Sequence, residues 1–278
     1  MLNRKNLRIR DPFVYTDREH GCYYVYGTTA LEDGGIAAQN SFSVYRTVDL
    51  EHFEEPKVIF DGESDGFWGQ YDFWASEMHV WNGKYYLFGS CKSDTRHRGT
   101  QIFVCDTPDG RFVPVSPRAA TPADWECLDG TLCVEDGVPY LVFSHEWTQV
   151  GDGEICACRM SDDLTHAVEE PFLLFRASEN SAVTPIDTGV GNYVTDGPFL
   201  YREGEKLRMI WSSFCEGRYL VLEAESDGIR GKWTHYGRRF AFDGGHAMLF
   251  WTLEGKRMIS LHSPDSPHGA ERAFFAEY

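Results

Sequence analysis

The feature that most constrains this chain is a β-hairpin unit that occurs five times along its 278 residues. Each copy has a β-branched or aromatic run typical of a second strand, with a glycine two or three residues before it. Glycine is favoured there because a tight turn needs a positive φ angle. The runs lie at 23–26, 85–88, 140–143, 207–211 and 257–261, and the glycines are Gly21, Gly83, Gly137, Gly204 and Gly255.

The spacing of these units predicts the fold. Successive runs begin roughly 50–65 residues apart, which leaves room for about four short strands per repeat and is typical of a β-propeller. We therefore predict an all-β chain, a five-bladed β-propeller that forms a single domain over residues 1–278. The alternating residues 271–278 are expected to form a closing strand paired with the N-terminal blade.

A polar residue stands near the head of each predicted first strand. These five residues are Asp11, Glu77, Asp129, Asp196 and His246. First strands line the axis of a propeller, so equivalent positions should meet in a ring at one end of its channel. A β-sandwich, which is the alternative fold, gives no reason for polar residues to fall in phase at every repeat.

The composition of the chain argues against some classes of binding partner. The net charge of −17 argues against nucleic acid and anionic membranes as partners. No apolar stretch approaches the roughly 18 residues of a membrane span, and no signal-peptide core is visible. The cysteines fall mostly in predicted strands without zinc-site spacing, so we expect reduced thiols and a cytoplasmic protein. The oligomeric state is not indicated.

Converging carboxylates indicate a chemistry. Carboxylates that share a cleft repel one another and separate their pKa values, which provides one proton donor and one base at neutral pH. Hydrolysis of an acetal needs this combination: an acid for the leaving oxygen and a base for water. Acids at strand starts also bond to turn amides, which is the structural alternative for any single one of them.

Aromatic residues near the second blade suggest a sugar surface. Trp68, Tyr71 and Trp74 could stack on sugar rings or pack between blades. Trp147, Trp211 and Phe214 follow predicted second strands and could equally line subsites or belong to the core. The polar segment 92–100 is expected to be a loop with solvent-exposed Arg and His residues.

Several motifs in order resemble glycoside hydrolase family 43, the five-bladed propeller enzymes that act on arabinose- and xylose-containing glycans. The motifs are RDPFV at 10–14, FWASEMH at 73–79, NGKYYLF at 82–88, LDGT at 128–131, DGPFL at 196–200 and GGHAM at 244–248. The resemblance implies that Asp11 is the general base, Asp196 the general acid, and Asp129 a third carboxylate that tunes the acid. It also implies that His246 belongs to the shell of an axial calcium or other cation, with no organic cofactor.

The acid position departs from the family, which usually has Glu where this chain has Asp196. The side chain is shorter by about 1.5 Å, whereas an inverting pair needs carboxyls roughly 6.5–9.5 Å apart. Glu146 and Glu216 could replace Asp196 as the donor, or could be solvated loop acids. Glu77, Glu146, Trp147 and Glu216 are therefore predicted, together with Trp68, Tyr71 and Trp74, to bind substrate.

We predict an inverting exo-glycosidase for α-L-arabinofuranosides or β-xylosides of plant-type oligosaccharides. One alternative is a propeller that binds a carbohydrate without cleaving it, because the aspartate would mark lost catalysis. Another is an enzyme resembling a β-galactofuranosidase that uses a different acid.

Overall fold

The chain forms a five-bladed β-propeller in a computed structural model that describes residues 1–29, 40–63, 66–187 and 191–278. Five antiparallel sheets follow one another along the chain, and the first strands of neighbouring sheets contact each other in a closed circle. The prediction of an all-β, five-bladed fold is confirmed.

The strands are distributed over the blades in chain order. Blade 1 contains β1 (Leu2–Asn3), β2 (Ile9–Asp17), β3 (Cys22–Thr29), β4 (Ser41–Thr47), β5 (His52–Phe53) and β6 (Lys57–Asp61). Blade 2 contains β7 (Tyr71–Trp81), β8 (Lys84–Ser93), β9 (Arg96–Cys105) and β10 (Val113–Pro114). Blade 3 contains β11 (Cys127–Glu135), β12 (Val138–His145), β13 (Glu154–Arg159) and β14 (Phe172–Arg176).

The last two blades complete the ring. Blade 4 contains β15 (Asp196–Glu203), β16 (Lys206–Cys215), β17 (Arg218–Ser226) and β18 (Thr234–Arg238). Blade 5 contains β19 (Gly245–Trp251), β20 (Arg257–Ser263) and β21 (Arg272–Glu277). The short helix α1 (Trp147–Val150) follows β12, and two 3₁₀ turns occupy Arg4–Asn6 and Ala177–Glu179. No helix in the described ranges is long and apolar enough to cross a membrane.

The five predicted turn glycines all have left-handed backbone angles. Their φ values lie between +61° and +83°. A side chain at such an angle would be strained, which explains why the repeat has glycine before each second strand. The turns therefore set the hairpin register from local sequence alone.

Aromatic packing holds the blades together. Phe73 is fully buried between blades 1 and 2, with its ring centroid 5.0 Å from that of Phe42. Trp211 is also fully buried and packs on Phe175 between blades 3 and 4. Both residues therefore belong to the core. All eight cysteines lie in the described ranges and are unpaired.

The ring closes differently from the prediction. The C-terminal strand β21 pairs with β20 of its own blade rather than with the N-terminal blade, so that prediction is wrong. Closure uses side chains: the guanidinium of Arg10 contacts Asp265 at 2.8 Å and Glu271 at 2.9 Å. Among the described residues, the isolated antiparallel bridge between Arg8 and Arg272 also joins the two ends of the chain through the backbone.

We expect Glu271→Gln to lower the free energy of unfolding by about 2 kcal/mol, because it leaves a largely buried Arg10 with one carboxylate fewer. Urea denaturation followed by tryptophan fluorescence measures this change. The matched control is Asp227→Asn, which removes an exposed pair with Lys206 and should leave the midpoint unchanged. Equal midpoints for both variants would contradict the role given to Arg10.

Candidate active site

Each inner strand carries a β-bulge at the same height of the propeller. The bulges lie between Arg10 and Phe13, Trp74 and Glu77, Leu128 and Thr131, Asp196 and Phe199, and Gly245 and Met248. At each bulge two residues of the inner strand oppose one residue of the second strand, and the first of the two has a left-handed φ angle in every blade. These residues are Asp11, Ala75, Asp129, Gly197 and His246, with φ between +47° and +55°.

This register corrects the predicted equivalence of the five polar residues. Asp11, Asp129 and His246 do occupy the same place in the bulge. Asp196 stands one residue earlier, and Glu77 stands two residues after Ala75. The inner strand of blade 2 also has a second bulge near Asp72, and it carries alanine at the place where blades 1, 3 and 5 carry Asp11, Asp129 and His246.

The buried N–H of each bulge residue needs an acceptor, and at four junctions a side chain from the second strand of the preceding blade supplies it. Asp11 donates to Nδ1 of His262, Ala75 to Thr28, Asp129 to Ser90, and His246 to Ser212. These N–H groups are bound at 2.8–3.2 Å. A ring of hydrogen bonds therefore fixes the positions of the polar side chains.

The junction between blades 3 and 4 breaks this rule. The N–H of Gly197 donates to Oδ2 of Asp129 at 3.0 Å. Ser144, which occupies the position equivalent to Ser90 and Ser212, keeps a buried hydroxyl with no partner in the described part of the chain. The carboxylate of Asp129 therefore anchors the backbone next to Asp196.

The carboxylate of Asp11 lies against two imidazoles and a hydroxyl donor. Its Oδ1 is 3.2 Å from Nδ1 of both His246 and His262, and its Oδ2 accepts the hydroxyl of Thr28 at 2.7 Å. Burial alone would raise the pKa of Asp11, but His246, His262 and Arg10 outweigh it and hold the pKa below its usual range. Asp11 is therefore ionised at neutral pH.

The pKa values of Asp129 and Asp196 are instead raised. Burial and the charge of Asp11 raise the pKa of Asp129 well above its usual range. Burial and the charge of Asp129, with a further contribution from Glu146, raise the pKa of Asp196 to about 8, although His246 lowers it. Asp196 is half-buried, and its Oδ2 accepts the hydroxyl of Tyr219 at 3.2 Å.

These side chains form one cluster. Nδ1 of His246 lies 3.2 Å from Asp11 and 3.7 Å from Asp129, and Asp129 is bonded to the residue after Asp196. The cluster thus contains an ionised carboxylate and a carboxyl that keeps its proton at neutral pH. Such a pair can activate water and protonate a leaving group.

A pocket of about 390 Å³ opens beside Asp196. Trp147 and Phe214 line it, together with Pro185, Ile186, Val194 and Gly217. The aromatic walls and the protonated carboxyl suit a sugar ring, which combines apolar faces with hydroxyls. Trp147, one of the residues predicted to bind substrate, therefore lies in the wall of this pocket.

The other predicted binding residues are scattered. Trp68 and Tyr71 line a different groove, described below. Trp74 lies beneath the guanidinium of Arg98, which is 4.4 Å from its ring centroid. Glu216 is exposed on the turn between β16 and β17, 3.6 Å from Arg238.

Glu77 and Glu146 lie closer to the cluster. Glu77 is buried, contacts His79 at 3.1 Å and contributes to the raised pKa of Asp129. Glu146 is half-buried and pairs with Arg98, and its charge contributes to the raised pKa of Asp196. Its loop is therefore not simply solvated.

The predicted ion shell of His246 has one supporting feature. Its Nε2 is buried and has no partner in the part of the chain that is described. Calcium, however, prefers six to eight oxygen ligands. Within the described residues no three His, Cys, Asp or Glu side chains are grouped to hold a metal ion, so the residues do not form a calcium cage.

Two residues at the cluster escaped the sequence analysis. His262 is fully buried against Asp11, and the signal for it was its place five residues after the start of the fifth run, like Thr28 and Ser90 in theirs. The expectation that segment 92–100 is an exposed loop is wrong, because the segment is the end of β8, a turn and the start of β9, and Arg98 is buried between Asp72 and Glu146. Its burial depends on contacts with residues that are distant along the chain, and the local sequence does not predict such contacts.

Comparison with known proteins places the chain among carbohydrate-active propellers. The family model described as "Glycosyl hydrolases family 43" matches residues 5–275. No curated protein matches the chain. The chain is similar to the crystal structure of an endo-arabinase from Bacteroides thetaiotaomicron VPI-5482, with 38% identity and a TM-score of 0.91, over 100% of this chain and 96% of that one.

More distant structures share the fold. An α-L-arabinofuranosidase from Lactobacillus brevis has 18% identity and a TM-score of 0.76, over 98% of this chain and 90% of that one. A β-xylosidase/α-arabinofuranosidase from a compost microbial metagenome, in complex with xylotriose and in a calcium-free form, has 16% identity and a TM-score of 0.73. That alignment covers 100% of this chain and 93% of the other.

We expect Ser144→Ala to leave stability nearly unchanged, because its hydroxyl has no partner to lose. The matched variants Ser90→Ala and Ser212→Ala should each cost about 1–2 kcal/mol, since they leave the buried N–H of Asp129 or His246 without an acceptor. Thermal denaturation of the three variants tests this. An equal loss in Ser144→Ala would mean that Gly197 donates to Ser144 instead of Asp129.

Proposed function

Because the chain belongs to glycosyl hydrolases family 43 and is a glycoside hydrolase, we propose that it cleaves α-L-arabinofuranosides or β-xylosides from the ends of oligosaccharides with inversion. Asp11 is the general base and Asp196 the general acid. The observation that carries this assignment is the separation of their pKa values, lowered for Asp11 and raised to about 8 for Asp196.

The reaction follows from these protonation states. Asp11 accepts a proton from a water whose oxygen bonds to the anomeric carbon. The glycosidic C–O bond breaks, and the proton of Asp196 passes to the leaving oxygen. Tyr219 donates to Oδ2 of Asp196, which leaves Oδ1 to carry that proton.

Asp129 acts through its neighbours in this proposal. Its hydrogen bond to Gly197 fixes the backbone next to Asp196, and repulsion between the two carboxyls favours the protonated form of Asp196. This arrangement supports catalysis by Asp196 despite its shorter side chain, because the groups around Asp196, rather than its length, raise its pKa. It also disfavours the alternative of a carbohydrate-binding protein without activity, and that of an enzyme using a different acid.

The sugar is proposed from the relatives and the pocket. The relatives with printed activities act on arabinose or xylose glycans, and the pocket beside Asp196 has two aromatic walls, Trp147 and Phe214. A pocket of about 390 Å³ suits a terminal sugar, which supports exo action.

A second candidate is endo action on arabinan. The observation that favours it is the relative at 38% identity, which is described as an endo-arabinase. Release of monosaccharide alone from linear arabinan supports the exo proposal, whereas oligosaccharides of mixed length support the endo candidate. Proton NMR of the first product formed shows whether its anomeric configuration is inverted.

We expect Asp11→Asn and Asp196→Asn each to lower kcat on nitrophenyl arabinofuranoside or xyloside by about 10³-fold, because one loses the base and the other the acid. Comparing kcat on these two substrates with kcat on nitrophenyl galactofuranoside tests which sugar is cleaved. Asp196→Glu should retain activity, since it restores the proton donor that is usual in the family. Full activity in Asp196→Asn would instead assign the donor to another carboxyl.

The pH dependence should follow Asp196 on the alkaline side. The acid must be protonated, so kcat is expected to fall as the pH rises through about 8. The acidic limb should lie below the usual carboxylate range, since the pKa of Asp11 is lowered. Glu146→Gln removes a charge that raises the pKa of Asp196 and should move the alkaline limb to lower pH; an unmoved limb would contradict this.

A further inference from the structure

A large groove runs between the outer parts of blades 2 and 3, apart from the pocket beside Asp196. Its volume is about 1200 Å³, and it shares no lining residue with that pocket. Trp68 and Tyr71 form one end, segments 92–99 and 118–123 line its sides, and segment 165–171 of blade 3 closes it. The helix α1 separates the two, because Trp147 faces the pocket while Gln149 binds the backbone of Glu126 in the groove.

The groove has an aromatic platform. Trp68 is half-buried and its indole N–H donates to Gln101 at 2.9 Å, which fixes the orientation of the ring. The guanidinium of Arg96 lies 5.5 Å from the ring centroid. A fixed indole beside a donor group suits a sugar, whose apolar face stacks while its hydroxyls accept hydrogen bonds.

Two guanidiniums in the groove have no carboxylate partner. Arg96 and Arg118 are both exposed, and neither makes an ion pair with any described residue. Nη1 of Arg96 lies 3.5 Å from the carbonyl oxygen of Pro117, which leaves the charge of the guanidinium without a described counter-ion.

The acidic residues of the groove are mostly engaged elsewhere. Glu126 accepts Lys92 at 3.0 Å and His97 at 2.8 Å. Glu169 pairs with Arg230, and Asp94 accepts the hydroxyl of Tyr71 at 3.3 Å. The positive charge left available along the groove is therefore that of the two arginines, and the exposed carboxylates of Asp94 and Glu170 oppose it.

Two further polar atoms at the groove lack partners. Oγ of Ser93 and Nε of Arg98 are buried without a hydrogen bond in the described ranges, and both residues line the groove. Buried polar atoms are normally satisfied by protein, water or ligand. Both atoms are closed to solvent, so the groove presents Trp68, Arg96 and Arg118 to a ligand rather than these two atoms.

We propose that this groove is a second carbohydrate site, which binds a glycan segment carrying a uronic acid carboxylate. Trp68 stacks on a sugar ring, and Arg96 and Arg118 hold the carboxylate through the paired N–H groups that match its geometry. The site holds a glycan through a part remote from the bond that is cleaved. The carbohydrate class rests on the family, whereas the recognition of an acid rests on the arginines.

The test is a binding measurement on the full chain carrying Asp196→Asn, so that hydrolysis does not interfere. The matched probes are xylotriose and xylotriose with one glucuronic acid branch, measured by calorimetry at low ionic strength. The acidic probe should bind about tenfold more tightly, and added salt should remove the difference. Arg96→Gln and Arg118→Gln should each remove most of this advantage, and Trp68→Ala should weaken binding of both probes.

Controls separate the groove from the catalytic pocket. Trp251→Ala and Arg238→Gln change an exposed Trp and an exposed Arg elsewhere and should leave the advantage unchanged. Phe214→Ala alters the pocket beside Asp196 and should also preserve it. Equal affinity for the two probes, or an advantage lost in Phe214→Ala but kept in Arg96→Gln, overturns the proposal. Turnover is not a readout, so a failure of the hydrolytic proposal would leave this result intact.

Discussion

The site depends on one repeated constraint: at the bulge of every inner strand, a buried backbone N–H must find an acceptor near the propeller axis. An unsatisfied buried N–H is costly, so the second strand of the preceding blade must present a side chain at that height. Thr28, Ser90 and Ser212 do this with hydroxyls. His262 does it with an imidazole, and Asp129 takes over the task at the remaining junction.

The two junctions that use His262 and Asp129 instead of a hydroxyl lie next to Asp11 and Asp196. His262 accepts the backbone N–H of Asp11 and also lies 3.2 Å from its carboxylate. The residue that joins blade 5 to blade 1 therefore also lowers the pKa of Asp11. Asp129 accepts the N–H beside Asp196, so the bond that joins blades 3 and 4 places a second carboxyl next to the acid, and repulsion between the two carboxyls favours the protonated form of Asp196. The contacts that hold the blades together are therefore the same contacts that separate the pKa values.

Charge is arranged differently near the propeller axis and in the groove between blades 2 and 3. Near the axis, burial and mutual repulsion determine which carboxyl keeps its proton. In the groove between blades 2 and 3, Arg96 and Arg118 are exposed and form no ion pair with a described residue, which is the basis for the proposed binding of an anion. Arg98 lies between the two regions: its guanidinium pairs with Glu146, near the acid, while its residue lines the groove.

The sequence by itself determined the five hairpins and their order, because a left-handed turn is a local requirement that glycine satisfies wherever it occurs. It also identified the heads of the inner strands, and with the family motifs it pointed to Asp11, Asp129 and Asp196. Only the tertiary structure decided that Asp196 and Glu77 are out of phase, that the C-terminal strand stays in its own blade, and that Arg98 is buried. Bulges, burial and pairing depend on residues brought together from different blades, so no local stretch of sequence contains them.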